Sequence, residues 1–260
     1  MFQTLELTRK DTVATVTLNR PEVRNAFNET TIAELIKVFN ELGNDPTIRA
    51  IVLAANGPAF CAGADLHWMK KMADYSHTEN LADANQLAQM LSAIYTCTKP
   101  VVAKIQGDCY AGGMGLVAAC DVLVSVDTAQ FCLSEVKLGL IPATISPYVI
   151  KAMGEHAARR YFLTAERFDA AQALQIGFVH EVVSAENLNQ KIADIVKALV
   201  NNSPNAVAHA KNLVREVGGR EITPELIANT VEGIAVIRAS EEGREGVKSF
   251  LEKRQPSWLE

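Results

Sequence analysis

Glu135 is the acidic residue of this sequence that is best placed to move a proton. It lies in residues 131–142, where most of its neighbours are apolar. Burial among apolar groups disfavours an ionised carboxylate and raises its pKa, so that it can exchange a proton near neutral pH. The alternative is a carboxylate on an exposed loop or one paired with Lys137. We therefore interpret Glu135 as a candidate proton-transfer residue.

Residues 56–65 form a small-residue turn that contains Gly63 and leads into a helical pattern from Leu66. A turn between a strand and a helix leaves backbone N–H groups without helical acceptors, and such groups suit an anion or a developing oxyanion. On this stretch alone a structural role is favoured, in which Gly63 serves the turn and Asp65 caps the helix.

A second glycine-rich turn covers residues 106–115 and precedes an apolar helical stretch. It matches neither the GxGxxG pattern followed by an acidic residue nor GxxxxGK[ST], which disfavours a dinucleotide site and a P-loop. Gly112 and Gly113 would let a ligand or another backbone approach closely. Tight helix packing is the alternative, and it would also explain Gly115.

Short apolar runs must form the strands that position these turns. Residues 13–18 alternate between apolar and polar types, which is typical of a half-buried strand. Residues 49–55, 100–105 and 121–126 are apolar runs bounded by turn residues and separated by helical stretches. This order predicts a mostly parallel α/β sheet covered on both faces.

Patterns typical of helices lie between the predicted strands and in the C-terminal part of the chain. Thr31 stands three residues before Glu34, as in a capping box, and Gly43 is a natural helix end. From about residue 184 the pattern becomes helical, and Thr223 followed by Pro224 predicts the start of another helix. We expect a strand-rich core followed by a helical region.

Composition limits the possible classes of protein. The 260 residues, 48% hydrophobic, are enough for one large domain, and the net charge of −5 without a basic stripe argues against nucleic-acid binding. Five cysteines without a CxxC pair predict buried thiols in a reducing compartment and no metal site. No apolar run approaches the roughly 20 residues that span a bilayer, so a cytoplasmic protein that does not enter a membrane is expected.

Taken together, the motifs resemble the crotonase (enoyl-CoA hydratase/isomerase) superfamily over almost the whole chain. The resemblance lies in Asn19-Arg20-Pro21, Arg24-Asn25-Ala26, residues 60–65 (FCAGAD), Gly112-Gly113, Cys120-Asp121, Glu135 with residues 138–142 (LGLIP), and residues 250–254 (FLEKR). It implies an α/β fold, a crotonase-like spiral of ββα turns, with the active site in residues 1–195. Residues 196–260 would be a helical trimerisation region that also contacts coenzyme A.

The resemblance also implies an acyl-CoA substrate, a homotrimer or dimer of trimers, and no cofactor or metal besides the coenzyme A of the substrate. The backbone N–H groups of Ala64 and Gly112 would form an oxyanion hole. Ala62 would offer backbone contacts to coenzyme A, and Arg24 and Lys253 would approach its phosphates. For both cationic residues a solvated surface charge is the alternative.

The chain departs from the typical hydratase pattern at Gly115, where a second glutamate is usual. Glycine can neither orient water nor carry a proton. Three interpretations stay open. Glu135 acts alone, the chain is a double-bond isomerase that needs one base, or the space at Gly115 admits a polar part of the substrate.

A finer resemblance concerns the acyl group. Residues 65–70, 134–143, 145–149 and 159–166 resemble bacterial methylglutaconyl-CoA hydratases and the similar carboxygeranoyl- and isohexenylglutaconyl-CoA hydratases. Such substrates carry a second carboxylate, which would need a partner. Asp65 and His67 are candidate substrate-binding residues, with Lys70 or Lys71 as further possible partners. The alternative is that the lysines are solvated and His67 only packs beside Trp68.

The sequence thus predicts a lyase that hydrates an α,β-unsaturated acyl-CoA to the 3-hydroxyacyl-CoA, in leucine/isovalerate or acyclic terpenoid catabolism. An enoyl-CoA double-bond isomerase is the nearest alternative, and a thioester hydrolase is a more distant one. A non-catalytic RNA-binding or scaffolding protein is the alternative from another class. Gly115 favours it, whereas the negative charge and Glu135 oppose it.

Overall fold

Two β-sheets form the scaffold of the computed structural model, which describes residues 2–259. The larger sheet has the strand order β1-β2-β3-β5-β7-β10 and the smaller one β4-β6-β8-β9. The strands are β1 (Leu5–Lys10), β2 (Val13–Leu18), β3 (Ala50–Ala55), β4 (Ala59–Cys61), β5 (Val101–Ile105), β6 (Asp108–Tyr110), β7 (Val122–Val126), β8 (Gln130–Cys132), β9 (Phe168–Asp169) and β10 (Glu181–Val183).

Ten α-helices are described, with three short 3₁₀ helices at Pro21–Val23, Glu135–Leu138 and Ser257–Leu259. The α-helices are α1 (Glu29–Asn44), α2 (Leu66–Met72), α3 (His77–Tyr95), α4 (Gly112–Ala118), α5 (Ser146–Thr164), α6 (Ala170–Gln175), α7 (Leu188–Val200), α8 (Pro204–Val217), α9 (Pro224–Ala239) and α10 (Glu241–Leu251).

The chain winds as a spiral, and each turn gives one strand to each sheet before a helix follows. Strands β3 and β4 precede α2 and α3, β5 and β6 precede α4, and β7 and β8 precede the 3₁₀ helix Glu135–Leu138 and α5. All ladders of the large sheet are parallel except the one between β1 and β2. The predicted α/β spiral of ββα turns is therefore confirmed.

Burial explains why the central strands are continuous apolar runs. Strand β2 buries every second residue, whereas β3 and β5 are buried at all but one position each. Strands covered on both faces have no solvent side that would select polar residues. The predicted strand at residues 13–18 matches β2, and the other three differ from the observed strands only at their first residue.

The predicted capping box at the start of the first helix is wrong. Helix α1 begins two residues before Thr31, and the side chain of Asn28 accepts the hydrogen bond from the Thr31 N–H at 3.0 Å. The Glu34 carboxylate instead accepts from the backbone N–H groups of Gln3 and Thr4, at 2.7 and 2.9 Å. Asparagine caps a helix as well as threonine does, and Glu34 serves to attach the N-terminal segment.

The C-terminal region is helical, as predicted. Helix α9 begins at Pro224, and the Thr223 side chain accepts from the N–H of Leu226 at 3.2 Å. The predicted division at residue 195 falls inside α7, whose Leu188 and Ile192 are buried in the same core as the sheet. Within residues 2–259, no helix combines the length and the apolar character needed to cross a membrane.

Candidate active site

A cavity of about 490 Å³ is lined by both glycine turns and by the segment that carries Glu135. Helices α2 and α3 and residues 138–145 close it. Its lining residues are Phe27, Ala62, Ala64, Leu66, Trp68, Met69, Met72, Asn80, Asp83, Ala84, Leu87, Ala111, Gly112, Ser134, Glu135, Leu138, Leu140, Ile141, Pro142, Ala143, Thr144 and Ile145. The structure therefore brings four predicted site residues, Ala62, Ala64, Gly112 and Glu135, to one cavity.

The first glycine turn leaves the N–H of Ala64 free. Phe27 donates its N–H to the Gly63 carbonyl at 2.9 Å, and its own carbonyl accepts from the Asp65 N–H at 3.0 Å. These bonds form an isolated parallel bridge between Phe27 and Ala64. The bridge uses the Gly63 carbonyl and the Asp65 N–H, which flank Ala64. The Ala64 N–H itself has no acceptor within residues 2–259.

The second glycine turn leaves the N–H of Gly112 free. Gly112 is the first residue of α4, where an N–H has no helical acceptor, and none is supplied by any other described residue. A Cβ at this position would lie 2.4 Å from Phe27 Cζ, so only glycine fits. The Gly112 nitrogen lies 3.5 Å from the position that a Cβ on Gly63 would occupy, so the two turns are in contact.

Glu135 is the proton-transfer candidate at this cavity. It is the first residue of the 3₁₀ helix Glu135–Leu138 and is half-buried. Its Oε2 is buried without a hydrogen-bond partner in the described part of the chain, and no ion pair there joins it to Lys137. Burial raises the pKa of this carboxyl, and a hydrogen bond from its own backbone opposes the rise only partly. These properties suit a carboxyl that exchanges protons with a ligand.

Gly115 is buried in α4 and its side-chain space is occupied. A Cβ built on it would lie 2.3 Å from Ile145 Cγ2 and 2.7 Å from Ile145 Cβ. The interpretation that a polar part of the substrate enters a gap at Gly115 is therefore wrong, because Ile145 fills that volume. The same contact explains why the usual second glutamate cannot be accommodated.

Installing the missing glutamate by a Gly115→Glu substitution is expected to destabilise the fold without increasing activity. Overpacking a buried position costs about 1–3 kcal/mol, and an unpaired buried carboxylate adds to that. Thermal unfolding and a hydration assay measure the two effects. The double variant Gly115→Glu/Ile145→Ala provides the space and should recover part of the lost stability. A single variant with unchanged unfolding temperature would contradict the packing.

Asp65 is a helix cap and not a lining residue of the cavity. Its Oδ1 accepts from the N–H groups of His67 and Trp68, and its Oδ2 accepts from Arg20 at 2.8 Å. Burial alone would raise the pKa of this carboxyl, but the hydrogen bonds from Arg20 and the helix N–H groups lower it overall. Its carboxylate is thus engaged in holding α2 to the segment that precedes α1, which supports the capping interpretation.

The three candidate partners of a second substrate carboxylate are not brought to the cavity. His67 and Lys70 are exposed, and Lys71 pairs with Glu29 at 3.0 Å. Within residues 2–259, no lysine, arginine or histidine lines the cavity. Lys70 and Lys71 are both exposed, which agrees with the alternative that their side chains are solvated.

Arg24 and Lys253 were predicted to approach the phosphates of coenzyme A. The Arg24 carbonyl accepts from the Ala62 N–H at 3.0 Å, so the structure brings the exposed Arg24 next to the first glycine turn. Lys253 is exposed just beyond the end of α10 and does not line the cavity. Of these two cationic residues, Arg24 therefore lies near the other predicted site residues of the same chain, and Lys253 does not.

Asp83 is the functional candidate that sequence reasoning missed. It is half-buried on α3 and lines the cavity, and its Oδ1 accepts from Trp68 Nε1 at 2.9 Å. Burial and the charge of Glu29 raise the pKa of this carboxyl, against the hydrogen bond from Trp68. The available signal was its position, because Asn80, Asp83, Ala84 and Leu87 follow helical spacing and all four line the cavity.

The cysteines have no evident role in the chemistry of this cavity. All five are free and buried, and Cys61, behind the first glycine turn, donates to the Asn25 carbonyl at 3.2 Å. Burial raises the pKa of the Cys61 thiol to about 12, so it stays protonated. Within the described chain, no group of three His, Cys, Asp or Glu side chains is arranged to hold a metal ion.

Comparisons with known proteins agree on one family. The family model described as enoyl-CoA hydratase/isomerase matches residues 8–260. The chain is similar to the crystal structure of an enoyl-CoA hydratase from Shewanella pealeana ATCC 700345, with a TM-score of 0.96 and 43% identity, covering 99% of this chain and 96% of that one.

Two of the sequence relatives have names that specify an acyl-CoA substrate. The 2,3-dehydroadipyl-CoA hydratase of Escherichia coli (strain K12) is 29% identical over 256 residues, covering 98% of each chain. The mevalonyl-coenzyme A hydratase of Aspergillus fumigatus is 30% identical over 247 residues, covering 94% of this chain and 90% of the relative. The similarity thus extends over nearly the full length of both chains in each case.

Proposed function

This chain belongs to the enoyl-CoA hydratase/isomerase family, and we propose that it adds water reversibly to a 2-enoyl-CoA to form the 3-hydroxyacyl-CoA. The observation that carries the proposal is the cavity lined by Ala64, Gly112 and Glu135. Among the described residues, the N–H groups of Ala64 and Gly112 have no acceptor and Oε2 of Glu135 has no hydrogen-bond partner. Acyl-CoA chemistry follows from the family, and the choice of hydration is our proposal.

In the proposed reaction the thioester carbonyl oxygen accepts hydrogen bonds from Ala64 and Gly112. When water bonds to C3, the electrons of the C2=C3 bond move towards C2 and the carbonyl oxygen, which gains negative charge. Two donors fixed by backbone geometry stabilise that charge without rearranging in the transition state. The contact of Gly112 with Phe27 keeps the second donor in place.

Glu135 supplies the proton transfer. Its ionised carboxylate takes a proton from the attacking water, and the resulting carboxylic acid delivers that proton to C2. Its raised pKa brings the two protonation states closer in free energy at neutral pH. One carboxyl can therefore serve both halves of the addition.

For the coenzyme A part of the substrate, we propose contacts with the backbone of Ala62 and with the cationic side chains of Arg24 and Lys253. Ala62 lines the cavity, and Arg24 adjoins it through the bond between the Ala62 N–H and the Arg24 carbonyl. An arginine or lysine near the mouth would pair with phosphate groups.

The proposed assembly is a homotrimer or a dimer of trimers. Helix α9 carries Ile227, Val231 and Ile234, which follow helical spacing and are 48–61% exposed in the single chain. An apolar stripe of this kind on one helix supports a contact with another copy of the chain.

The finer proposal concerns the acyl group, which would be methylglutaconyl-like and derive from leucine/isovalerate or acyclic terpenoid breakdown. It rests on the resemblance of residues 65–70 and 134–143. The described residues of the cavity wall include no cation, so a second carboxylate would rely on neutral donors. The hydroxyl groups of Ser134 and Thr144 line the cavity and bond to no other described side chain or backbone group.

Hydration rates for crotonyl-CoA and methylglutaconyl-CoA, measured side by side, test this proposal. Loss of the absorbance of the conjugated thioester reports water addition to either compound. Turnover of both supports hydration, and a higher kcat/KM for methylglutaconyl-CoA supports the finer assignment. No turnover of either, with coenzyme A binding intact, would contradict the hydratase proposal.

Double-bond isomerisation is the second candidate, and the closed space at Gly115 favours it. An isomerase moves one proton between C2 and C4 and needs a single base, which Glu135 provides. Incubating a 3-enoyl-CoA and finding the 2-enoyl product faster than any 3-hydroxyacyl-CoA would favour this candidate over hydration.

A further inference from the structure

Ala111 lies between strand β6 and the Gly112 donor, and its backbone is strained. Its φ of 47° and ψ of −122° fall in a region that glycine adopts freely and other residues rarely enter. Such strain persists only where the surrounding structure fixes the backbone, and it is concentrated at active sites. We propose that Ala111 is a positioning residue that sets the separation of the Ala64 and Gly112 N–H groups, an inference that rests on the oxyanion hole of the proposed function.

The backbone on both sides of Ala111 is fixed by hydrogen bonds to different elements. Its N–H donates to the Cys132 carbonyl at 2.8 Å, which continues the pairing of β6 with β8. Its carbonyl accepts from the Met114 N–H of α4 at 2.9 Å. These two bonds fix the peptide groups on either side of the residue. The φ and ψ of Ala111 must therefore take the values that join the sheet to the helix.

The bond from Met114 also sets the direction of the Gly112 N–H. The peptide group between Ala111 and Gly112 is trans, so its carbonyl and its N–H point to opposite sides. The carbonyl is directed into the first turn of α4, towards Met114. The Gly112 N–H therefore points away from that helix, and the strained backbone of Ala111 is what presents it as a donor.

The methyl group of Ala111 packs against the first glycine turn. A Cβ built on Gly63 would lie 3.0 Å from the Ala111 Cβ, so the methyl faces the side of Gly63 where a side chain would be. Gly63 immediately precedes the Ala64 donor, just as Ala111 immediately precedes the Gly112 donor. The two residues in contact therefore carry the two donors, and the size of the methyl limits how closely the turns approach.

Two further contacts hold these turns together, at positions where no side chain fits. A Cβ on Gly112 would lie 2.4 Å from Phe27 Cζ, and one on Gly113 would lie 2.7 Å from the Cys61 carbonyl oxygen. At Ala111, in contrast, a methyl is present although glycine would remove the strain. The contact that this methyl makes across the two turns offsets the strain, because it fixes the spacing of the donors.

The location of Ala111 agrees with a role in the reaction. It is half-buried and lines the cavity together with Ala64, Gly112 and Glu135. A methyl that only filled the core would be enclosed on all sides. The stabilisation of a developing oxyanion depends on where both donors are held before the reaction begins, so a residue that spaces them affects the transition state more than the bound substrate.

Steady-state kinetics and thermal unfolding of Ala111→Gly test the proposal. We expect kcat for crotonyl-CoA to fall on the order of 10-fold, less than the roughly 10²–10³-fold cost of losing one donor, with a small change in KM. The unfolding temperature should not fall, because glycine adopts the backbone of residue 111 without strain. A loss of activity without a loss of stability is the combination that a packing residue would not produce.

Acetoacetyl-CoA provides a readout of the oxyanion hole that does not depend on water addition. When its C2 proton is lost to the solvent, the charge of the enolate is shared with the thioester oxygen, which the two N–H groups stabilise. The enolate and keto forms differ in ultraviolet absorbance. At fixed pH and saturating ligand, the ratio of bound enolate to bound keto form should fall on the order of 10-fold in Ala111→Gly.

Ala165→Gly is the matched control. Ala165 is also an alanine with a positive φ, 48°, and it is buried at the end of α5 without lining the cavity. The same substitution there relieves the same kind of strain. It should keep or raise the unfolding temperature, and it should leave kcat and the enolate ratio at their wild-type values.

The outcomes separate this inference from the proposed function. Wild-type kcat and a wild-type enolate ratio in Ala111→Gly would overturn the inference, and so would a loss of activity that is matched by a lower unfolding temperature. A wild-type protein that stabilises the enolate but hydrates neither crotonyl-CoA nor methylglutaconyl-CoA would contradict the proposed function instead. In that case a lower enolate ratio in Ala111→Gly would still support the role of Ala111.

Discussion

Replacing Glu135 with glutamine is expected to lower kcat for hydration on the order of 10²–10⁴-fold, the range typical of losing one proton-transfer group. Glutamine keeps the shape and polarity of the side chain but can neither take a proton from water nor return one to C2. KM should change little, because the carboxyl moves the proton and does not hold the thioester. Initial rates with crotonyl-CoA measure the effect.

The stability of this variant should not fall with its activity. The folded protein raises the pKa of Glu135, so the ionised carboxylate destabilises the native state as the pH rises through that pKa. Neutral glutamine removes this penalty, and the unfolding temperature at neutral pH should be equal or higher. The exposed Glu155→Gln is the control for activity. An active Glu135→Gln enzyme would rule out Glu135 as the proton carrier.

Gly112→Ala is expected to lower kcat on the order of 10²–10³-fold, the usual loss for one oxyanion donor. The added Cβ would lie 2.4 Å from Phe27 Cζ, so the first turn of α4 must move away and carry the Gly112 N–H with it. Steady-state kinetics measure the loss. The unfolding temperature shows how much of the clash is relieved by movement.

A second substitution separates the loss of the donor from general damage. In the Gly112→Ala/Phe27→Leu double variant the ring is gone, the turn can return, and activity should recover part of the way relative to Gly112→Ala. Gly233→Ala is the control for the substitution type, since a Cβ there meets no atom within 4 Å. If Gly112→Ala hydrates crotonyl-CoA at the wild-type rate, the Gly112 N–H is not an oxyanion donor.

Local patterns were sufficient to predict four strands of the larger sheet, β2, β3, β5 and β7, and the two glycine turns. Strand β2 alternates and β3 is apolar throughout, and each pattern follows directly from whether one or both faces are covered. Glycine is needed at one position of each turn. Gly63 has a positive φ, which strains other residue types, and a Cβ on Gly112 would collide with Phe27. Of the predicted site residues on these turns, Ala62, Ala64 and Gly112 line the cavity, and Asp65 does not.

Contacts between residues distant in sequence could not be predicted in the same way. The orientation of Asp83 depends on a hydrogen bond from Trp68, 15 positions earlier, which the helical spacing within α3 does not indicate. The packing of Ile145 onto Gly115 joins positions 30 residues apart. The assignment of Thr31 as a cap failed because Asn28, next to the Phe27–Ala64 bridge, caps the helix three residues earlier and accepts the N–H of Thr31 itself.

The Ile145 side chain packed onto Gly115 has a consequence for how this protein can evolve. A mutation that introduces glutamate at position 115 first meets a filled volume, whereas one that shortens Ile145 first leaves a cavity in a buried region. Each single change is therefore expected to lower stability before the second can compensate for it. The two positions therefore form an epistatic barrier, and a lineage that carries them reaches a two-glutamate site only by crossing it.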